Sequence, residues 1–209
     1  MQQSHLKNRP LRKLRAFGLM EVILGMFVLT AGLTVVMAPA LQSVRDTTDS
    51  RKAVLAANLA QEGVEMVRNI RDSQFAQTAP GKSNITHAFI NGMNMNVHDH
   101  EYCTIDFTDA NLNGSVCKKL KTNTALHTGL ILTGNFYKKM TSSGTPMFRR
   151  LIHVEQVSDA PRYDVTVVVT WGSNINDVTT YIDNTANCTR GNHCVFSQAT
   201  FTDWNYWGI

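Results

Sequence analysis

The chain has 209 residues, of which 43% are apolar and 17% charged, so its composition is that of a folded protein rather than a disordered polyelectrolyte. That length suffices for one helical anchor and one modest globular domain. The formal charge of +4 does not describe a general nucleic-acid binder, because its distribution is lopsided. Lys7, Arg9, Arg12, Lys13 and Arg15 crowd the first sixteen residues without one acid, and the remaining fifteen bases face sixteen acids, a net of −1.

The basic segment, residues 1–16, runs straight into an apolar one, residues 17–41. A bilayer core takes about 20 apolar residues in a helix, so this is a candidate span, and the bases before it mark the cytoplasmic side. An ordinary secretory signal would place an A-x-A-like cleavage site and then a polar domain after the apolar run. Here Met37-Ala38-Pro39-Ala40 is followed by continued helical pattern, and Pro39 suits cleavage poorly.

Glu21 is the anomaly. It is the only charged side chain between Phe17 and Ala38, and a charge in such a segment costs roughly 2.5–3.5 kcal/mol on insertion scales. A cut between Ala16 and Phe17 would supply a reason. The new α-ammonium would head the helix one turn from Glu21 and offset its charge, within one chain or between neighbours. A buried polar pair of that kind sets register, as in coiled coils.

The segment "RAFGLMEVILGMFVLTAG" resembles the N-terminus of type IV prepilins and prepilin-like proteins: a basic leader, a small residue, Phe, three mostly apolar residues, Glu, then an apolar helix. The resemblance implies removal of residues 1–16 by a membrane prepilin peptidase that also N-methylates Phe17. Glu21 becomes the fifth mature residue. Ala16 stands where the family most often has Gly, and Pro39 is similar in position to a helix-loosening proline of the family's anchor.

Residues 42–76 continue as an amphipathic helix, with Leu55, Leu59, Met66 and Ile70 at spacings of four and seven and Val44 in looser register. Arg51, Lys52, Gln61, Glu65, Arg68 and Asp72 lie opposite. Gly63 is a weakness of about 1 kcal/mol relative to Ala, and Pro39 should kink or loosen the helix. One helix from Phe17 to about Gln74 would be roughly 85 Å long. "ANLAQEGVEMVRNIRDSQF" looks like a stretch common in bacterial prepilin-like sequences.

After the loop "AQTAPGKSN" the period changes to two. "RYDVTVVVTW" places Tyr163, Val165, Val167, Val169 and Trp171 on one face and is the strongest strand. "GLILTGNFYKKM" and "PMFRRLIHVEQV" read as a hairpin about "TSSGT", "GSNIND" as a turn into a strand "VTTYID", and "HAFI" and "YCTIDF" as short strands. The expectation is an α+β protein: a long helix with an antiparallel sheet of about four strands packed on its second half, and a β-rich head over residues 77–209. The resemblance gives that arrangement the name pilin fold.

Cys103, Cys117, Cys188 and Cys194 all follow the apolar segment, on the side where disulfides persist. Four cysteines allow three pairings, and the local one, Cys103 with Cys117 and Cys188 with Cys194, is the simplest. The rival use is zinc, through His98, His100, Cys103, His193 and Cys194, but the spacing matches no standard site. "DANLNG" carries Asp109, Asn111 and Asn113 in the pattern of a calcium loop's first half, while Leu120 occupies its acidic twelfth position. The expectation is therefore no metal and no cofactor. No nucleophile, paired-acid or phosphate-binding motif stands out, so no enzyme is expected. Phe201, Trp204, Tyr206, Trp207 and Ile209 crowd the C-terminus, as a sheet cap or a contact surface.

The resemblance implies a structural subunit, of minor-pilin or pseudopilin type. It enters the inner membrane with its N-terminus cytoplasmic and is assembled through residues 17–41 into a surface or periplasm-spanning filament. Its implied partners are prepilin peptidase, other pilin-like subunits, membrane lipid, and an assembly platform with its ATPase. The rival readings are a type II secretion pseudopilin, a DNA-uptake subunit and an unprocessed single-pass membrane protein. DNA is disfavoured by the net charge, although Lys118, Lys119 and Lys121, or Lys138 and Lys139 with Arg149 and Arg150, offer local patches.

Overall fold

The computed structural model describes residues 18–77, 101–106, 117–118, 128–140, 145–157, 162–172 and 178–202. Helix α1 spans Leu19–Gln77 without interruption and carries Pro39 inside it. Pro39 has no N–H, so the carbonyl of Val35 lacks its usual helical donor. The chain divides into two compact units, residues 1–48 and 49–209.

In the first unit every described residue from Gly18 to Thr48 is exposed, and from Val22 to Leu41 the surface is largely aliphatic. The threonines there do not leave their hydroxyls unmet. Thr30 Oγ1 donates to the Met26 carbonyl at 2.9 Å, and Thr34 Oγ1 to that of Ala31 at 2.8 Å. Hydroxyls bonded back to their own helix are tolerated in an apolar setting.

In the second unit, α1 buries Ala56, Leu59, Ala60, Val64, Val67 and Ile70. This stripe is shifted from the one expected. Leu59 and Ile70 belong to it, Leu55 and Met66 pack at its margin, and Val44 is 65% exposed. Small residues occupy the centre because helix and sheet approach closely there. A Cβ on Gly63 would lie 2.8 Å from Val167 Cγ1, so this glycine is a condition of the packing and not a weakness.

The sheet is antiparallel, with seven strands among the described residues: β1 Glu101–Cys103, β2 Cys117–Lys118, β3 Gly129–Thr133, β4 Phe136–Lys139, β5 Phe148–Gln156, β6 Arg162–Trp171 and β7 Cys194–Thr202. β5 is central. One edge carries β1, opposite Ile152–Val154, and β3, opposite Phe148 and Arg149; the other pairs with β6 along its whole length. β7 pairs with β6 from Arg162↔Thr202 to Thr170↔Cys194.

Two expected hairpins are corrected. "GLILTGNFYKKM" is itself a hairpin, β3 with β4, turning at Gly134-Asn135, where Gly134 takes φ +65°. The tight glycine turn closes before the "TSSGT" loop is reached, so β5 meets β3 and not β4. "VTTYID" is helix α2, Val178–Asp183, and the neighbour of β6 is "CVFSQATFT". Val178 and Ile182, one helical turn apart, are both buried with Leu151 and Val168. "HAFI" lies outside the described residues, and "YCTIDF" supplies β1 in part.

The two sheet faces bury different clusters. Tyr163, Val165, Val167, Val169 and Trp171 face α1 together with Phe148, Ile152 and Val154. Leu151 and Val168 face α2 and the Cys188–Cys194 disulfide. The alternation read from "RYDVTVVVTW" is thus the alternation of the sheet.

Candidate functional site

Glu21 sits in the first turn of α1, where its N–H donates to the Gly18 carbonyl at 2.9 Å. A carboxylate at that position complements the helix's partial positive charge. No Asp, Glu, Lys or Arg follows until Arg45, and α1 is long and apolar enough to cross a membrane, with none of its apolar window buried by the rest of the chain. The first unit therefore presents an unpartnered aliphatic surface with one acid at its head. Ala16 and Phe17 lie outside the described residues.

Cys188 and Cys194 form a disulfide, as the local pairing expects. Cys103 is also disulfide-bonded and stands opposite Cys117 in the β1–β2 register. In disulfides, Cys103 and Cys194 do not offer zinc thiolates. His98 and His100, and the calcium-loop residues Asp109, Asn111 and Asn113, lie outside the described residues. Among the described residues no group of three or more His, Cys, Asp or Glu is arranged to hold a metal. Of the aromatic C-terminus, Phe201 is buried, with the Arg71 guanidinium 4.8 Å from its ring centre; Trp204, Tyr206, Trp207 and Ile209 are not among the described residues.

The DNA patch that includes Arg150 is also corrected. Arg150 is 2% exposed and points from β5 at α1. Its Nη1 donates to the Leu59 carbonyl at 3.1 Å and its Nη2 to the Ile105 carbonyl at 2.6 Å, with Glu62 at 3.6 Å. Burial pushes the guanidinium below its ordinary pKa, while Glu62 and Asp106 pull the other way. A cation so enclosed cannot meet a phosphate. The signal for this was available in the sequence: Phe148, Arg150, Ile152 and Val154 share one parity, so a strand that faces three of them inward must face Arg150 inward too.

Sequence reasoning missed a second polar constellation. The loop closed by Cys188 and Cys194 rests on α1 where the second unit begins. Asp49 Oδ1 accepts from Trp171 Nε1 at 3.0 Å, and His193 Nε2 lies 3.6 Å from the same oxygen. Arg190 Nη2 donates to Ser50 Oγ at 2.6 Å. His193 holds φ +52° and turns its ring edge-on to Trp171 at 5.7 Å. These partners are more than 120 residues apart in sequence, and no local pattern announces them. Nor does any announce the bond from the Tyr102 hydroxyl to Asp183 Oδ1 at 2.7 Å, or the stacking of Tyr102 on His153.

Set against protein-family models, curated proteins and solved structures, the chain matches none of them.

Proposed function

We propose that this chain is a type IV pilin-like precursor, a structural subunit that is cut between Ala16 and Phe17 and assembled through its N-terminal helix. One observation carries the reading: a single carboxylate, Glu21, in the first turn of an exposed aliphatic helix that has no further charge until Arg45. An acid there is costly in lipid and finds its match in the α-ammonium that cleavage before Phe17 would create. The α+β head, with a sheet packed on the later residues of the same helix, is the arrangement that a pilin fold calls for. In this reading prepilin peptidase processes the chain in the inner membrane. An assembly platform and its ATPase then move residues 17–41 from lipid into a bundle of like helices, and no catalysis is required of the head.

N-terminal mass spectrometry of the protein made in its host tests the cut. The expected mature terminus is N-methylated Phe17. A working protein that retains residues 1–16 would leave a plain tethered ectodomain instead. Glu21→Ala should be processed normally, yet enter filaments at least about tenfold less, because one charge is left unmatched in an apolar setting. Normal incorporation of Glu21→Ala would remove the register role.

A further inference from the structure

Sheet edges are places where another strand can add, and proteins protect them with short strands, charges, proline or bulges. The strands at one side of this sheet follow that rule. β2 has two residues, and β4 has four, of which Lys138 and Lys139 are charged. β7, at the other side, has nine residues, CVFSQATFT, with no charge, no proline and no glycine. Its register with β6 is one-to-one from end to end, without a bulge, and among the described residues no strand pairs with its outer side. The strand is also held in place. Cys194 is tied to Cys188, Gln198 Nε2 donates to Thr166 Oγ1 at 3.1 Å, and Thr200 Oγ1 donates to Asp164 Oδ1 at 2.7 Å.

The sequence of β7 is complementary to itself. Antiparallel pairing centred on Gln198 sets Val195 against Phe201, Phe196 against Thr200 and Ser197 against Ala199. The face toward α1 then meets apolar with apolar at both ends, and the outer face meets polar or aromatic neighbours with no like charges opposed. The same operation on β4 would join only four residues and set Lys138 against Tyr137 and Lys139 against Phe136, with no apolar pair. Among the described strands at the sheet's edges, β7 is the longest and carries no charge. We infer that β7 is a self-association edge, through which two heads join their sheets by antiparallel strand addition about Gln198. The inference goes beyond the assembly role of α1 and does not depend on cleavage before Phe17.

The test uses the full chain in detergent micelles. Gln198→Cys places two thiols in directly opposed positions, with Cβ atoms about 4.5–5.5 Å apart, within reach of a short bifunctional thiol reagent. Covalent dimer is expected at this site in excess over Asn58→Cys, an exposed control on α1. Two further variants of the reporter carry equal numbers of new charges. Phe196→Glu with Thr200→Lys opposes unlike charges across the edge and should retain the dimer. Phe196→Lys with Thr200→Lys opposes like charges and should lower its yield roughly three- to tenfold. Adding Glu21→Ala should leave the crosslink in place, which separates this edge from assembly through the helix. Equal yields from the two charge variants, or a yield no higher than the control, would overturn the inference. So would a dimer that forms only when the chain is ended after Thr202, because the chain's own last residues would then be the occupant.

Discussion

Arg150 is the residue on which α1, β5 and the chain after β1 converge, since its guanidinium reaches carbonyls of Leu59 and Ile105 at once. Removing it leaves the Leu59 and Ile105 carbonyls without its two N–H donors and takes a positive charge from beside the buried Asp106. We expect Arg150→Met to lower the stability of the head by about 2–4 kcal/mol, read by chemical denaturation, and Arg150→Lys to recover little of it, because an ammonium lacks the forked reach. Wild-type stability in Arg150→Met would show the network to be dispensable. Tyr102 gives a prediction in pH. Burial, and then its bond to Asp183, raise its pKa from 10.0 to about 12. A proton held more tightly in the folded state stabilises fully below pH 10 and is lost as pH rises towards 12. Alkaline unfolding should therefore steepen across that window and flatten in Tyr102→Phe; identical alkaline limbs would remove Tyr102 from the account. Neither residue's partner was legible in the sequence. The parity of β5 told that Arg150 points inward, but nothing local told what waits there.

At the scale of elements, the close approach of α1 to β6 is set by Gly63. In an exposed helix, Gly→Ala gains about 1 kcal/mol. Here the added methyl meets Val167, so Gly63→Ala should cost about 1–3 kcal/mol, with part of the loss recovered by Val167→Ala in a double-mutant cycle. A stabilised Gly63→Ala head would mean that helix and sheet move apart freely. The same contact explains what could be read in advance. α1 and β6 were legible because period and length agree over many residues. The helix's buried stripe was misplaced because hydrophobic size drew attention to Leu55 and Met66, whereas close packing selected Ala56, Ala60 and Gly63. "VTTYID" has the composition of a strand, yet β6 already had a neighbour in "CVFSQATFT", whose Ser, Gln and Thr read as surface until their place beside Asp164 and Thr166 is known.

For the molecule as a whole, the chain divides into two units at residues 48 and 49. Glu21 lies in the first and the packed core in the second, so Glu21→Ala should leave the head's unfolding free energy within about 0.5 kcal/mol of wild type. A destabilised head would show that the acid serves folding and not assembly. The membrane-length helix, the α+β class and the Cys188–Cys194 pairing were all legible because each rests on local pattern: an apolar run, a change of period, a short cysteine loop. The order of the strands rests on contacts between distant segments, and no short window contains it.

That order has a consequence for how the chain comes off the ribosome. The buried stripe of α1, Ala56 to Ile70, is synthesised early, but the strands it packs against, β5 and β6, follow only after Phe148, and β7 closes the sheet at Thr202. Until β5 and β6 follow, the helix carries a sticky seam with no sheet to receive it. The nascent polypeptide must keep that seam shielded until β6 has been made.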